Sequence, residues 1–220
     1  MGLLPYDLYE YNYEKPQTAL NIGLGCGITF FVLSDLVKTT TIEIDPVVVE
    51  ANEFFHEPID HHLIIDDARN WLLRNDEKFD IIITESLDPY HNNGMLFTKE
   101  FFALLNNRLT DNGIVSQWVP VFELSDKDLL IFYNTFHEVF PYVYVYKMEP
   151  NSIKQLIFIG SQKPLKIKDV PLYEFNQDNV RDIETELNTD DKPIIEFSTA
   201  LGIYFSNADR TITFPFKDMR

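Results

Sequence analysis

Short apolar runs alternate with stretches of helical period along most of the chain. Thr18–Ile22 (TALNI) is apolar, ends at glycines and reads as a first strand, followed by a helix over Ile28–Leu36. Thr40–Ile44 is rich in β-branched residues and reads as a second strand. Pro46 stands where a first helical turn tolerates proline, and Val47–Phe55 continues that helix. Leu63–Ile65 is a third strand and Ala68–Arg74 a short helix. Phe79–Thr84 (FDIIIT) is an uninterrupted run typical of a strand covered on both faces. Thr98–Leu109 reads as a helix with Thr98 as its N-cap, Asp111-Asn112-Gly113 as a turn, and Ile114–Trp118 as a fifth strand. Ser125–Val139 is a helix in which Ser125 and Asp128 make a variant capping box. Tyr142–Tyr146 and Gln155–Ile159 leave no room for a helix between them, so they form an antiparallel pair at one edge. After Lys163 the pattern weakens; Asn179–Leu187 reads as one more helix and the rest is unassigned.

This order predicts an α/β protein with a doubly wound, seven-stranded, mostly parallel sheet. With 220 residues and 45% apolar content, the chain supports one sizeable core. Residues 1–163 form the main domain and residues 164–220 a small C-terminal extension packed on it. No segment approaches the ~20 apolar residues that span a bilayer, and the first residues do not read as a signal peptide. The single cysteine, Cys26, excludes an internal disulfide framework and suits a reducing cytoplasm. A net charge of −17 repels nucleic acid and attracts a cationic substrate, though acidity that only maintains solubility fits equally well. Lys163, Lys166 and Lys168 are spread along a loop-like stretch and make no basic patch.

In such a sheet ligands lie beyond the carboxyl ends of the strands, so the residues just after each strand are the candidates. After the first strand comes Gly23-Leu24-Gly25-Cys26-Gly27. Glycines permit a tight turn and close backbone approach, and the helix behind them offers free N–H groups. At the end of the second strand stand Glu43 and Asp45, about twenty residues beyond the first glycine, where a carboxylate can accept both ribose hydroxyls. After the third come Asp66 and Asp67; Asp67 fits an adenine amino group and an N-cap for the helix at Ala68 equally well. After the fourth comes Glu85-Ser86-Leu87-Asp88-Pro89. Two carboxylates so placed are costly unless they serve a cation or a proton transfer. The histidines His56, His61, His62, His91 and His137 show no metal-ligand spacing, so no metal is expected. Phe132, Phe136, Phe140 and Tyr144 read as core.

Taken together these segments resemble the catalytic domain of the spermidine synthases, the polyamine aminopropyltransferases. The likeness is greatest to the branch often fused to a membrane transporter-like half. It rests on Gly2–Pro5, Asn21–Thr29, Ile42–Asn52, Asp66–Leu73, Phe79–Pro89, Leu96–Phe102, Gly113–Ser125 and the tail Asn188–Phe197. The resemblance implies a Rossmann-like, class I methyltransferase-like fold. It implies that Gly23, Gly25 and Gly27 cradle the methionine-derived part of the cosubstrate, decarboxylated S-adenosylmethionine. Glu43 then matches the ribose carboxylate and Asp67 the adenine-side aspartate. Glu85 falls at the catalytic aspartate, Asp88 at the second aspartate, and Gln117 near the amine pocket.

Three departures accompany the likeness. Glu85 is one methylene longer than the family's aspartate. Cys26 stands where the family often has an aspartate favouring the decarboxylated cosubstrate, which leaves ordinary S-adenosylmethionine open. The family's N-terminal β-domain, which helps close the amine pocket and form dimers, has no counterpart in this sequence, so a homodimer stays open. The implied function is transfer of an aminopropyl group to a small cationic diamine such as putrescine. A methyltransferase acting on a small substrate and a non-catalytic nucleotide-binding partner or regulator are the alternatives.

Overall fold

Five of the strands anticipated from the apolar runs lie side by side and point the same way. The computed structural model of the chain describes residues 3–54, 62–85, 94–120, 124–149, 152–167, 172–175, 186–195 and 216–218. The chain divides into two units: Met1–Ser86 with Leu104–Gln117 and Ser161–Lys168, and Leu87–Ala103 with Trp118–Gly160 and Asp169–Arg220.

The first unit runs α1 (Leu3–Asn12), β1 (Thr18–Ile22), α2 (Ile28–Ser34), β2 (Lys38–Glu43), α3 (Pro46–Asn52), β3 (Leu63–Ile65), α4 (Ala68–Arg74), β4 (Phe79–Thr84) and most of β5 (Leu109–Pro120). The strand order is β3-β2-β1-β4-β5, parallel throughout. β4 is buried along its whole length, as its sequence predicts for a strand covered on both faces. Asp80 on that strand, only 8% exposed, is fully employed. Its Oδ1 accepts from the hydroxyls of Tyr9 at 3.1 Å and Thr110 at 2.8 Å; its Oδ2 accepts from the N–H groups of Gln17 at 2.8 Å and Thr18 at 3.3 Å. This one carboxylate ties α1, the start of β1 and β5 to the central strand. Burial, helped by the charge of Asp80, pushes the Tyr9 phenol up to about 12, so it remains a donor at any working pH.

The sequence reading missed α1. Its segment carries Pro5 and shows no strong apolar stripe; the helix is secured from outside by burial of Tyr6, Leu8 and Tyr9. A second correction concerns Asp111-Asn112-Gly113. It is not a turn before a strand but part of β5. Phe79 pairs with Leu109 and Ile81 with Ile114, so two steps along β4 match five along β5. The three extra residues form a bulge. A Cβ on Gly113 would meet Leu109 Cβ at 2.8 Å and Phe79 O at 3.0 Å, so the close approach requires glycine.

The second unit holds a 3₁₀ turn (Gly94–Phe97), the start of α5 (Lys99–Asn107), α6 (Asp126–Val139), β6 (Tyr142–Glu149), β7 (Ser152–Ser161), β8 (Leu172–Phe175) and β9 (Phe216–Asp218). Its strand order is β7-β6-β8-β9. The hairpin β6–β7 is therefore not the edge, because β8 and β9 extend the sheet antiparallel beyond β6. All seven anticipated strands are present, with these two short ones added. Phe102, Phe132, Phe136, Phe140 and Phe158 are fully buried, with Phe102 edge-on to Phe136 at 5.0 Å and Phe132 edge-on to Phe158 at 4.9 Å. Ser125 and Asp128 cap α6 reciprocally, as expected. Thr98 Oγ1 caps α5 by accepting from Phe101 N at 3.3 Å. Most of the anticipated helix Asn179–Leu187 lies outside the described residues; the stretch from 186 to 188 is not helical. No helix of the described residues is long and apolar enough to cross a membrane.

An Asp80→Asn variant keeps the shape but cannot accept the Gln17 and Thr18 N–H groups with its amide nitrogen. It is expected to lose about 2–3 kcal/mol in urea denaturation, with α1 the first element to gain hydrogen exchange.

Candidate functional site

Parallel register brings the strand ends into one row. Ile65 at the end of β3 faces Glu43 at the end of β2, and Ile42 faces Ile22 at the end of β1. Ile22 in turn faces Thr84 at the end of β4, and Thr84 faces Gln117 on β5. The candidates Asp67, Glu43, the three glycines, Glu85 and Gln117 therefore follow one another along the carboxyl edge of the first unit. Asp88 lies outside the described residues.

The glycine loop is held from three sides. Gly23, Gly25 and Gly27 have φ of 92°, 51° and 79°, the left-handed region that disfavours side chains. Gly23 N donates to Ile42 O at 2.8 Å. The carboxamide of Asn21 donates to Gly23 O at 2.8 Å and that of Asn52 to Gly25 O at 2.7 Å. A Cβ on Gly27 would sit 2.4 Å from Asn52 Oδ1, whereas one on Gly25 would enter open space. The two glycines thus serve different needs: Gly27 packs against α3, and Gly25 leaves a surface bare. Cys26 between them is exposed.

Glu43 is 8% exposed, and both of its oxygens are in use. Oε2 accepts from Leu24 N at 2.8 Å and Oε1 from Asp45 N at 3.0 Å. Each oxygen keeps a second lone pair. Asp45 caps α3 by accepting from Val47 N, with Pro46 in the first helical turn as anticipated. Asp67 caps α4 by accepting from Asn70 N at 2.8 Å, one of the two roles its position allows. Asp66 accepts from Asp67 N and from the Arg74 guanidinium. Ile44 and Ile65, 65% and 54% exposed, leave apolar side chains beside Glu43. Sequence reading did not single them out, because the type and spacing of an isoleucine do not show its exposure.

Glu85 is partly buried, and its backbone N–H donates to Ile22 O at 3.0 Å. Its Oε1 accepts from the Thr29 hydroxyl at 2.6 Å. Burial pushes the Glu85 carboxyl above the usual carboxylate range, while the Thr29 bond pulls it part of the way back. Thr84 donates to Gln117 Oε1, and both side chains are fully buried. Among the described residues no group of His, Cys, Asp and Glu is arranged to hold a metal.

A parallel sheet with a glycine turn after β1, an acid ending β2 and an acid following β4 defines a class I methyltransferase-like domain. Solved structures share that fold. A spermidine synthase in complex with the transition state analogue AdoDATO aligns with a TM-score of 0.62 at 24% identity, over 89% of this chain and 70% of the other. Human methyltransferase-like protein 13 in complex with SAH aligns with a TM-score of 0.61 at 21% identity, over 74% and 79%.

Within that class, residues 9–169 match the spermine/spermidine synthase domain, and the chain belongs to that family. The polyamine aminopropyltransferase of Thermoplasma volcanium is 34% identical over 66% of this chain and 55% of its own length. The thermospermine synthase ACAULIS5 of Arabidopsis thaliana is 32% identical over 61% and 44%. The chain spans about half the length of the curated relatives it matches.

The glycines separate two effects. Gly27→Ala is expected to lower stability by at least ~1–2 kcal/mol through its overlap with Asn52 and its left-handed backbone. Gly25→Ala is expected to melt closer to the unaltered protein yet bind an adenosyl ligand more weakly by calorimetry.

Proposed function

We propose that the chain carries out aminopropyl transfer from decarboxylated S-adenosylmethionine to a small diamine such as putrescine, in the cytoplasm. The observation that carries the reading is the position of Glu85. It is a partly buried carboxylate, bonded to the first turn of the helix behind the glycine loop, in a chain of this family. Gly23, Gly25 and Gly27 receive the methionine-derived portion of the cosubstrate. Glu43 offers its remaining lone pairs to the ribose hydroxyls, and the exposed faces of Ile44 and Ile65 suit a purine. Asp67 stands at the adenine side. Asp88 and Gln117 are assigned to the amine.

The reaction displaces the sulfonium. The amine nitrogen uses its lone pair to attack the methylene next to sulfur, the C–S bond breaks, and neutral methylthioadenosine leaves. An amine with a pKa near 10 is mostly protonated at pH 7, so freeing the lone pair takes about 4 kcal/mol. Glu85 accepts that proton. Burial narrows the gap between the acid and the amine, because it makes this carboxylate a stronger base than an exposed one.

The sign of the pH dependence follows. Glu85 acts as a base only when ionised, so turnover is expected to fall as pH drops through a value above the ordinary carboxylate range. A group with a raised folded value adds stability below the ordinary range and loses it as pH rises through its own. Glu85→Gln is therefore expected to remove most turnover, abolish the acidic limb of the rate profile and leave melting at pH 7 unchanged or higher. Nucleotide affinity measured by calorimetry is expected to persist.

A second reading rests on Cys26. This exposed cysteine stands in the loop where the family's aspartate would favour the decarboxylated cosubstrate. Methyl transfer from ordinary S-adenosylmethionine then uses the same loop. Incubation with each cosubstrate and mixed polyamines separates the readings. Methylthioadenosine is the expected product, S-adenosylhomocysteine would replace the first reading with the second, and neither product would favour a non-catalytic nucleotide-binding role.

A further inference from the structure

The backbone of Glu85 is anchored to β1, but a glutamate side chain still has three torsions to fix. Among the described residues one hydrogen bond restrains them. Thr29 Oγ1 donates to Oε1 at 2.6 Å, the distance of a hydroxyl bonded to an ionised carboxylate. Thr29 is 6% exposed and sits in the first turn of α2, immediately after Ile28. No helical carbonyl lies a turn earlier to compete for its hydroxyl. Its β-branched side chain has few χ1 rotamers, so the position of Oγ1 follows the backbone of α2. That backbone begins at Gly27. Thr29 engages Oε1, so in this reading Oε2 is the oxygen that takes the proton.

We infer that Thr29 is a positioning residue. It holds one oxygen of Glu85 and thereby presents the other to the amine, referencing the base to the same helix whose start forms the glycine loop. The inference rests on the aminopropyl-transfer reading. It extends that reading to a residue 56 positions away from Glu85 in the chain. A carboxylate released from this bond samples several rotamers, and only some of them place Oε2 toward the reacting nitrogen.

The test compares Thr29→Val, which replaces the hydroxyl by a methyl of similar size, with Thr29→Ser, which restores the donor. Steady-state methylthioadenosine release is measured alongside calorimetric nucleotide affinity. Thr29→Val is expected to lower kcat by roughly tenfold or more with nucleotide affinity unchanged, and Thr29→Ser to recover most of it. In a Glu85→Gln background, Thr29→Val is expected to add little further loss, because the two residues act as one unit. Equal loss from Thr29→Val with and without Glu85, failure of serine to rescue, or full activity of Thr29→Val overturns the inference while leaving the base assignment intact. Full activity of Glu85→Gln, or no methylthioadenosine from the unaltered protein, overturns the parent reading and this inference with it.

Discussion

The shape of the glycine loop depends on the carboxylate of Glu43. Its two oxygens accept the N–H groups of Leu24 and Asp45, so a single buried side chain joins the loop after β1 to the end of β2. Gly23 N and Gly27 N find backbone carbonyls, but without Glu43 the Leu24 N–H between them would have to be satisfied by solvent. Asn21 and Asn52 complete the arrangement from below, each donating to a loop carbonyl. The loop is therefore preorganised by side chains that do not depend on a ligand. Gly27 has no room for a Cβ because Asn52 has already taken the space.

The sheet was legible because its signals are local. A strand ending in glycines, a β-branched run ending in an acid, and the buried run Phe79–Thr84 are each visible within a few residues. Capping at Asp67, Ser125 and Thr98 was readable for the same reason. What could not be read is what depends on distant partners. Helix α1 owes its place to Tyr9 meeting Asp80 across 71 positions. Asp111-Asn112-Gly113 has the composition of a turn, and only pairing with β4 keeps it inside a strand. The segment from 186 to 195 has no regular pattern, yet Asn188 orders it through three backbone partners, Phe97 O, Lys99 N and Ile195 N, and through its own N–H, which donates to the hydroxyl of Thr135. The last of these partners is a side chain, so even this irregular stretch is read against α6.

The candidate site divides along the same line. Residue types at the strand ends pointed to Glu43, Asp67 and Glu85 without a structure. The contacts of Thr29 and Asn52 and the exposure of the isoleucines did not follow from type or spacing. The longer side chain at Glu85 gains significance once its partner is seen. An aspartate has one torsion fewer to restrain, whereas the glutamate here is met by a hydroxyl at the start of the helix behind the loop. Length and restraint go together in this chain.

The bulge in β5 has a bearing on the far end of that strand. Side chains alternate strictly between the two faces of a sheet, so the number of residues in the bulge decides which face each later residue presents. The three extra residues set the phase in which Gln117 arrives opposite Thr84. Gly113 and Gln117 are four residues apart, about 13 Å along an extended strand. The bulge therefore works as a spacer gauge: a one-residue insertion or deletion in Asp111-Asn112-Gly113 that carried through the strand would turn Gln117 away and bring Ser116 or Trp118 round in its stead.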